Sequence, residues 1–228
     1  MEKKKYISLN QRIINQLAEH GFKKKNKYTF VRMISEDIVQ SIVFGHSTQG
    51  RKHVKYYAIH VVIELPRALS TAKEMGIYTL TCFENINLGY LLEKGTYLEW
   101  LIGEDTNEKY DNEVINSMLY HIEKYAMPFF DKYNVPSSIV NGIRNRAYPD
   151  RYGTDEMIAC IALLLYGSKE DFLWFVKKRS YEKQFLDTES EVDWDYKHPN
   201  VTITPLCESF LKNVDRLKPI IEAKGIEW

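Results

Sequence analysis

The sequence predicts an α+β fold, in which an antiparallel β-sheet packs against N-terminal and central helices and an α-helical part follows. Two segments, 37–47 and 54–65, are rich in β-branched and aromatic residues, and a polar turn separates them. That pattern is typical of neighbouring antiparallel strands. Because the strand-forming segments follow one another and the helical segments form separate runs, the sequence favours an α+β arrangement over alternating βαβ units.

A first helix is predicted within residues 8–22, ahead of the strands. The positions of its buried stripe recur at helical spacing: Leu9, Ile13, Ile14, Leu17 and His20. Ser8 and Gln11 stand at the spacing of a capping box, which marks a helix start. Gly21 lies where a left-handed residue commonly ends a helix, so the helix should stop there.

Four lysines crowd the stretch 23–27, "KKKNK", between this helix and a first strand predicted at 28–34. One interpretation is a nucleic-acid patch, in which lysines contact phosphates while Tyr28 and Phe30 stack on bases. The other is a solvated turn whose charges discourage sheet-to-sheet aggregation. The chain carries 31 basic and 31 acidic side chains, whereas nucleic-acid-binding domains are usually basic. We therefore expect the structural role and no nucleic-acid partner.

The segments after the two central strands give weaker signals. Residues 67–76 are compatible with a loop or a short helix. Three further strand candidates follow, at 77–83, 86–93 and 97–103. Apolar residues at helical spacing then predict a long helix at 108–132. Pro128 lies inside it and should kink or end it, because proline has no N–H to donate.

The segment 144–153, "RNRAYPDRYG", is the best candidate for a domain boundary, since it combines charged residues with proline and glycine. Helices are predicted beyond it at 154–166, at 169–180 and from residue 204 onward. We therefore expect two parts. Residues 1–143 form an α+β domain that contains the whole sheet, and residues 151–228 form an α-helical segment docked on it.

Part of this pattern resembles a widespread bacterial family of uncharacterised proteins. The shared features are a helix end, the "GFKKK" stretch, a strand with an aromatic residue and a strand with glutamine. They are carried by Leu17, Gly21, Phe22, Lys23, Lys24, Lys25, Phe30, Arg32, Gln40, Phe44 and Ser47. "YAMPFFDKY", at 125–133, is similar to a later helix of the family. The resemblance covers about residues 5–143, implies an α+β fold and brings no catalytic residue with it.

Common catalytic and cofactor motifs are absent from the sequence. It contains no dinucleotide-binding, P-loop, zincin or nucleophile-elbow pattern, so no cofactor is expected. Three cysteines are far apart and odd in number: Cys82, Cys160 and Cys207. They indicate reduced thiols and a cytoplasmic location instead of a disulfide framework. No apolar run is long enough to span a bilayer, and the lysines at the start precede no apolar leader segment.

Metal binding is not expected either. Three histidines recur seven residues apart: His46, His53 and His60. Strand parity places the second and third on opposite faces of a sheet, so they cannot converge on one ion. The acidic stretch 187–195 alternates carboxylates like a calcium loop, but it lacks the glycine that such a loop requires.

The strand 54–65 carries the candidate site. Its apolar face, suited to packing under helices, consists of Tyr57, Ile59, Val61, Ile63 and Leu65. Its other face consists of Tyr56, Ala58, His60, Val62 and Glu64. On that face, His60 could act as a general base oriented by Glu64. Residues four apart on a strand are separated by about 13 Å, so a catalytic trio would need groups from a neighbouring strand. Gln40 and His46 are the expected contributors.

Two functions remain open from the sequence. The first is a non-catalytic module that binds another protein through Tyr56, His60, Gln40 and His46, with bacterial conflict or defence as a hypothesis for its process. The alternative is a small hydrolase or nuclease with a dispersed site around His60 and Glu64. A closed cleft would favour the enzyme, and a broad, shallow face would favour the binding module.

Overall fold

The computed structural model describes residues 10–49, 54–103, 106–145, 155–179 and 205–227, with side chains in the last range described from residue 208. It confirms the α+β class. Six antiparallel strands form one sheet: β1 (Lys23–Lys24), β2 (Thr29–Met33), β3 (Val39–Ser47), β4 (Val54–Glu64), β5 (Glu84–Asn87) and β6 (Trp100–Gly103). Their order is β1-β2-β3-β4-β5. β6 pairs with the first half of β4, along the edge whose second half pairs with β5.

The described helices precede, interrupt and follow the sheet. They are α1 (Gln11–Glu19), α2 (Pro66–Glu74), α3 (Glu108–His121), α4 (Met127–Lys132), α5 (Pro136–Arg144), α6 (Glu156–Tyr166), α7 (Lys169–Arg179), α8 (Pro205–Arg216) and α9 (Lys218–Ala223). A short 3-10 turn, Leu88–Leu91, follows β5. Within the described ranges, none of these helices combines the length and apolarity that crossing a bilayer requires.

The strand register divides the sheet into two faces with different environments. The inner face carries Phe30, Arg32, Gln40, Ile42, Phe44, His46, Tyr57, Ile59, Val61, Ile63, Ile86 and Trp100. The outer face carries Val31, Met33, Val39, Ser41, Val43, Gly45, Tyr56, Ala58, His60, Val62, Glu64 and Asn85. Most inner-face side chains are buried in one apolar cluster with the helices, as the alternation in the sequence predicts.

A polar network holds the central helix on the inner face. The amide oxygen of Gln40 accepts hydrogen bonds from Arg32 Nε at 3.0 Å and from Arg32 Nη2 at 2.6 Å. The amide nitrogen of Gln40 donates to the carbonyls of Phe130 at 2.8 Å and Tyr133 at 3.3 Å, at the end of α4. Both carbonyls lie in the last turn of the helix, where backbone donors are scarce, and that of Phe130 also accepts the N–H of Tyr133 at 3.1 Å. Gln40 is fully buried, so the network replaces all the water that its amide has lost.

Arg32 connects the same network to the first helix. Its Nη1 donates to the carbonyl of His20, just beyond α1, at 3.1 Å. Its guanidinium lies over the ring of Phe22 at 4.9 Å and near the ring of Phe130 at 5.8 Å. Two neighbouring residues on paired strands thereby tie α1 and α4 to the sheet.

The long helix predicted at 108–132 is interrupted one turn before Pro128. α3 ends at His121, and the chain makes one π-helical turn, Ile122–Ala126, before α4 begins. The N–H of Met127 bonds to the carbonyl of Ile122, five residues back. Pro128 then stands in the first turn of α4, directly after the π-helical turn.

Two predicted strands are corrected. Residues 77–83 form neither strand nor helix, because β4 ends at Glu64 and α2 begins at once. Their last residue, Phe83, reaches β4, where its N–H donates to the carbonyl of Ile63 at 2.9 Å. Instead, the N–H of Leu80 donates to Oδ2 of Asp155, whose Oδ1 accepts the N–H of Ile158 and caps α6. The candidate at 86–93 contributes only the end of β5 and continues as the 3-10 turn.

Two details at the start of the chain also differ from prediction. Asn10 caps α1 by accepting the N–H of Arg12, whereas the predicted cap residue, Ser8, lies outside the described residues. The first two lysines of the "KKKNK" stretch form β1 instead of a turn, and they pair with Val31 and Phe30. Gly21 ends the first helix with φ +79, as predicted.

After residue 150, the described residues are helical and contain no strand. Their apolar side chains, such as Ile161 of α6 and Val214 of α8, belong to the same buried cluster as the sheet. Most of the boundary segment 144–153 lies outside the described residues. The division into 1–143 and 151–228 therefore stays a prediction.

We predict that Gln40→Met destabilises the protein by about 3 kcal/mol, because Arg32 and two helix-end carbonyls lose buried partners while the volume is nearly kept. Urea unfolding monitored by circular dichroism measures this loss. The matched control is Gln11→Met, at an exposed position of α1, which should change the free energy of unfolding by about 0.5 kcal/mol or less. Equal effects of the two substitutions would contradict the role assigned to Gln40.

Candidate functional site

The outer face carries the side chains that the sequence singles out on β4. Tyr56, His60 and Glu64 are all half-buried there, as the strand parity predicts. Their neighbours on β2 and β3 are mainly valines, and Met33 at the end of β2 is 76% exposed. The face is therefore apolar with a few polar tips.

His60 is oriented by an amide and not by a carboxylate. Its Nδ1 lies 2.9 Å from Oδ1 of Asn85 on the adjacent strand β5. Because an amide oxygen only accepts hydrogen bonds, Nδ1 of His60 is the donor in this contact. The ring leans towards Gly45, where an added Cβ would lie 3.9 Å from Nε2. The sequence does not reveal Asn85, because the pairing of β4 with β5 is not readable from it.

His60 and Glu64 are not hydrogen-bonded to each other, as their separation of about 13 Å along the strand predicts. The hydrogen bond of His60 described above goes to Asn85, and Glu64 lies four residues further along the strand. Glu64 instead adds to the negative potential at Cys82. His60 and Glu64 therefore do not form a general-base pair in this conformation.

Gln40 and His46 lie on the inner face and cannot complete a site with His60. The register pairs Gln40 with Ile63 and His46 with Tyr57, both of which point towards the helices. The expectation that these residues join His60 on one surface is therefore corrected. Gln40 is fully buried and structural, whereas His46 is exposed at the end of β3.

Ser41 is a further polar residue of the outer face that sequence reasoning missed. Its hydroxyl is buried and makes no hydrogen bond in the described part of the chain. It stands opposite Val62 on β4, whereas the ring of His60 leans the other way, towards Gly45. The two side chains are therefore not arranged as a nucleophile and its base.

A shallow recess of about 570 Å³ lies beside the start of β2, where β3 extends beyond the residue that pairs with Thr29. Its lining consists of the turn and strand residues 26–29 and the β3 residues 43–46. Tyr28 stacks on His46 there, with ring centroids 5.1 Å apart, and His46 in turn lies 6.2 Å from the ring of Tyr57. The ammonium of Lys27 lies over the Tyr28 ring, 4.6 Å from its centroid. We call this recess, with its ring stack, the β2–β3 notch.

The contacts of Tyr28 in the β2–β3 notch help to decide whether the neighbouring lysines form a nucleic-acid patch. Lys23, Lys24, Lys25 and Lys27 are all exposed, as a solvated stretch requires. Phe30, however, is buried, and the Tyr28 ring is already in contact with the ring of His46 and the ammonium of Lys27. A stacking platform for successive bases needs free ring faces. The geometry therefore favours the structural interpretation of the lysine cluster.

Thiol chemistry and a metal centre have no support in the described residues. Burial, with added repulsion from Glu64, Glu84 and Asp155, raises the pKa of the Cys82 thiol to about 11. Burial also raises the pKa of Cys160. Both stay protonated at neutral pH, and the thiolate is the reactive form. Among the described residues, no three His, Cys, Asp or Glu side chains are grouped so that they could hold a metal ion.

Comparison with known proteins identifies the family. The family model called Domain of unknown function (DUF4304) matches residues 13–132. The chain belongs to this family. No curated protein and no solved structure matches the chain.

The DUF4304 match ends at the end of a helix. It begins within α1 and ends at the last residue of α4, so it contains the six described strands, most of α1 and the helices α2 to α4. It also contains the Arg32–Gln40 network and the β2–β3 notch. The helices α5 to α9 lie outside it. The family description names no activity, so function rests on the geometry.

We predict that replacing Lys23, Lys24, Lys25 and Lys27 together by Gln changes the free energy of unfolding by about 0.5 kcal/mol or less, because exposed side chains contribute little. Urea unfolding measures the change. Salt-dependent binding of single-stranded DNA by the parent protein, lost in this variant, would instead support the nucleic-acid interpretation.

We predict that the buried thiols are inert. At roughly pH 8, a thiol of pKa about 11 is only about 0.1% thiolate, so alkylation of Cys82 should be slow and should quicken as pH rises towards 11. The measurement is iodoacetamide labelling of Cys207→Ser, followed by mass spectrometry. Unfolding in guanidinium chloride should restore fast labelling. Fast labelling of the native protein near neutral pH would contradict the burial.

Proposed function

We propose that this protein is a non-catalytic protein-interaction module that binds another protein through the outer face of its sheet. The observation that carries the proposal is the pairing of the partly exposed His60 with the amide of Asn85 on the outer face, where Tyr56 and Glu64 are partly exposed as well. A catalytic histidine needs a reacting group within reach and a shielded site. A recognition surface needs neither of these.

The composition of the outer face supports the same proposal. Met33, Val31 and Val43 supply apolar area, while Tyr56 and His60 add rings with polar tips. Methionine and tyrosine are enriched at the cores of protein interfaces, and charged residues are depleted there. Met33 is 76% exposed and Val31 and Val43 are partly exposed, and apolar surface that is contiguous and exposed often marks an interaction site.

Three finer points belong to the proposal. The widely spaced, reduced cysteines support a cytoplasmic location. The resemblance described above supports a bacterial source. A module that captures a partner without turnover is compatible with a role in conflict or defence, and that role is the process we propose.

We predict that Tyr56→Ala combined with His60→Ala weakens partner capture at least about tenfold, since two ring contacts at an interface core are lost. A photo-crosslinking residue at Val43 first identifies the partner, and titration of the purified partner then measures the affinity. The control is Tyr110→Ala on α3, an exposed tyrosine on the helical side of the molecule. It should leave the affinity unchanged.

The enzyme alternative has its own outcome in the same experiment. Turnover of model esters or phosphodiesters by the parent protein, abolished by His60→Ala, would replace the binding module with the hydrolase. Equal capture by the parent and the double variant would remove the outer face as the binding surface.

A further inference from the structure

Residues 77–81 have the composition of a strand, but in the described part of the chain no strand pairs with them. Their sequence, "IYTLT", is rich in β-branched and aromatic residues. The chain runs without a turn from Ile77 to Leu80. A strand-forming segment without a neighbour is a place where another chain can supply one.

One edge of this segment has unpaired backbone groups. The N–H of Leu80 donates to Oδ2 of Asp155 at 2.6 Å. Because successive N–H groups of an extended chain point to opposite sides, those of Thr79 and Thr81 point away from Asp155. These two N–H groups, and the carbonyls of Ile77 and Thr79, form no hydrogen bond with the described residues. Backbone groups without a partner are seldom buried, so this edge faces solvent.

The segment is held at both ends and in the middle. The N–H of Ile77 donates to the carbonyl of Ala72 at 2.8 Å, and the N–H of Phe83 donates to the carbonyl of Ile63 at 2.9 Å. The side chains of Ile77 and Phe83 are both buried. The hydrogen bond of Leu80 fixes the residues between them. A partner would therefore meet an edge that is already formed, and little chain entropy would be lost on binding.

Two large side chains project from the same segment. Tyr78 is 91% exposed and Leu80 is 53% exposed. They lie two residues apart, so they share one side of an extended chain. Side chains of an added strand would lie directly beside them, and pairs of aromatic and β-branched side chains stabilise neighbouring strands. The matching partner carries apolar side chains at alternate positions.

We infer that residues 77–81 dock an extended strand of a partner protein. The backbone of that strand pairs with the open edge, where the N–H groups of Thr79 and Thr81 donate and the carbonyls of Ile77 and Thr79 accept. The segment is not part of the outer face, so the inference does not rest on the proposed function.

Titration of the full-length protein with a strand-forming peptide, followed by ¹H–¹⁵N NMR, tests the inference. The probe is a capped peptide in which valines alternate with threonines between terminal lysines. It should shift the amide signals of residues 77–81 with a Kd of about 1 mM, since one added strand makes few contacts. Once it is bound, the N–H groups of Thr79 and Thr81 should exchange more slowly with solvent. The same peptide, N-methylated at every internal residue, keeps its side chains but has no internal N–H to donate, and it should bind at least about fivefold more weakly.

Two variants at Thr79 separate backbone pairing from side-chain contact. Thr79→Pro removes the N–H and should weaken the peptide at least about fivefold, whereas Thr79→Ala keeps the N–H and should change the affinity less than about twofold. The N–H of Thr79 has no partner among the described residues, and proline favours an extended residue before it, so both variants should fold.

A second pair of variants tests the side chains. Tyr78→Ala should weaken the peptide about threefold, because a cross-strand contact is lost. Tyr110→Ala, at an exposed tyrosine of α3, is the control and should have no effect. Both side chains are exposed, so neither variant should unfold the protein.

Three results would overturn the inference. The first is the absence of shifts at residues 77–81 at millimolar peptide. The second is equal weakening by Thr79→Pro and Thr79→Ala. The third is dimerisation of the protein without peptide, measured by sedimentation and lost in Thr79→Pro, which would assign the edge to a second copy of this chain. None of these results depends on the outer face, so the inference and the proposed function can fail separately.

Discussion

The buried amide of Gln40 is the constraint on which the arrangement of the sheet and helices depends. A glutamine amide can accept two hydrogen bonds and donate two, and here each is used: two from Arg32, and one each to Phe130 and Tyr133. A carboxylate at this position would face the helix-end carbonyls with no donor. An amine would face the guanidinium with no acceptor. Only an amide satisfies both neighbours, so the position of α4 over β3 depends on this residue type.

This network also explains why the two faces of the sheet have different roles. The inner face is committed to α1, α3 and α4 through Arg32, Gln40 and Trp100, whose Nε1 donates to Ser117. Among the described residues, the outer face has fewer side-chain hydrogen bonds to helices, and the hydrogen bond of His60 joins two strands of the same sheet. A surface that the fold does not need for its own packing is free to meet another molecule.

The parts of this fold that follow a local period could be predicted from the sequence, and the parts set by long-range pairing could not. The alternation along β4 assigned Tyr57 to the core and Tyr56 to the opposite face before any neighbour was known. The strand predicted at 77–83 does not form, for a different reason. Ile77 and Tyr78 have strand propensity, but a strand also needs a neighbour, and β4 turns into α2 too early to supply one. Gln40 and His46 were misplaced because the phase of β3 relative to β4 depends on their pairing register, which the sequence does not contain.

The carboxylate of Asp155 has a mechanical consequence for the region beyond the sheet. One oxygen holds the N–H of Leu80 and the other holds the first turn of α6, so one side chain clamps the connection between α2 and β5 to the start of a buried helix. Lifting α6 away from the core must therefore release that connection as well. Segments that are far apart along the chain therefore open together. Displacement of α6 also releases the segment that leads into β5, at the edge of the sheet.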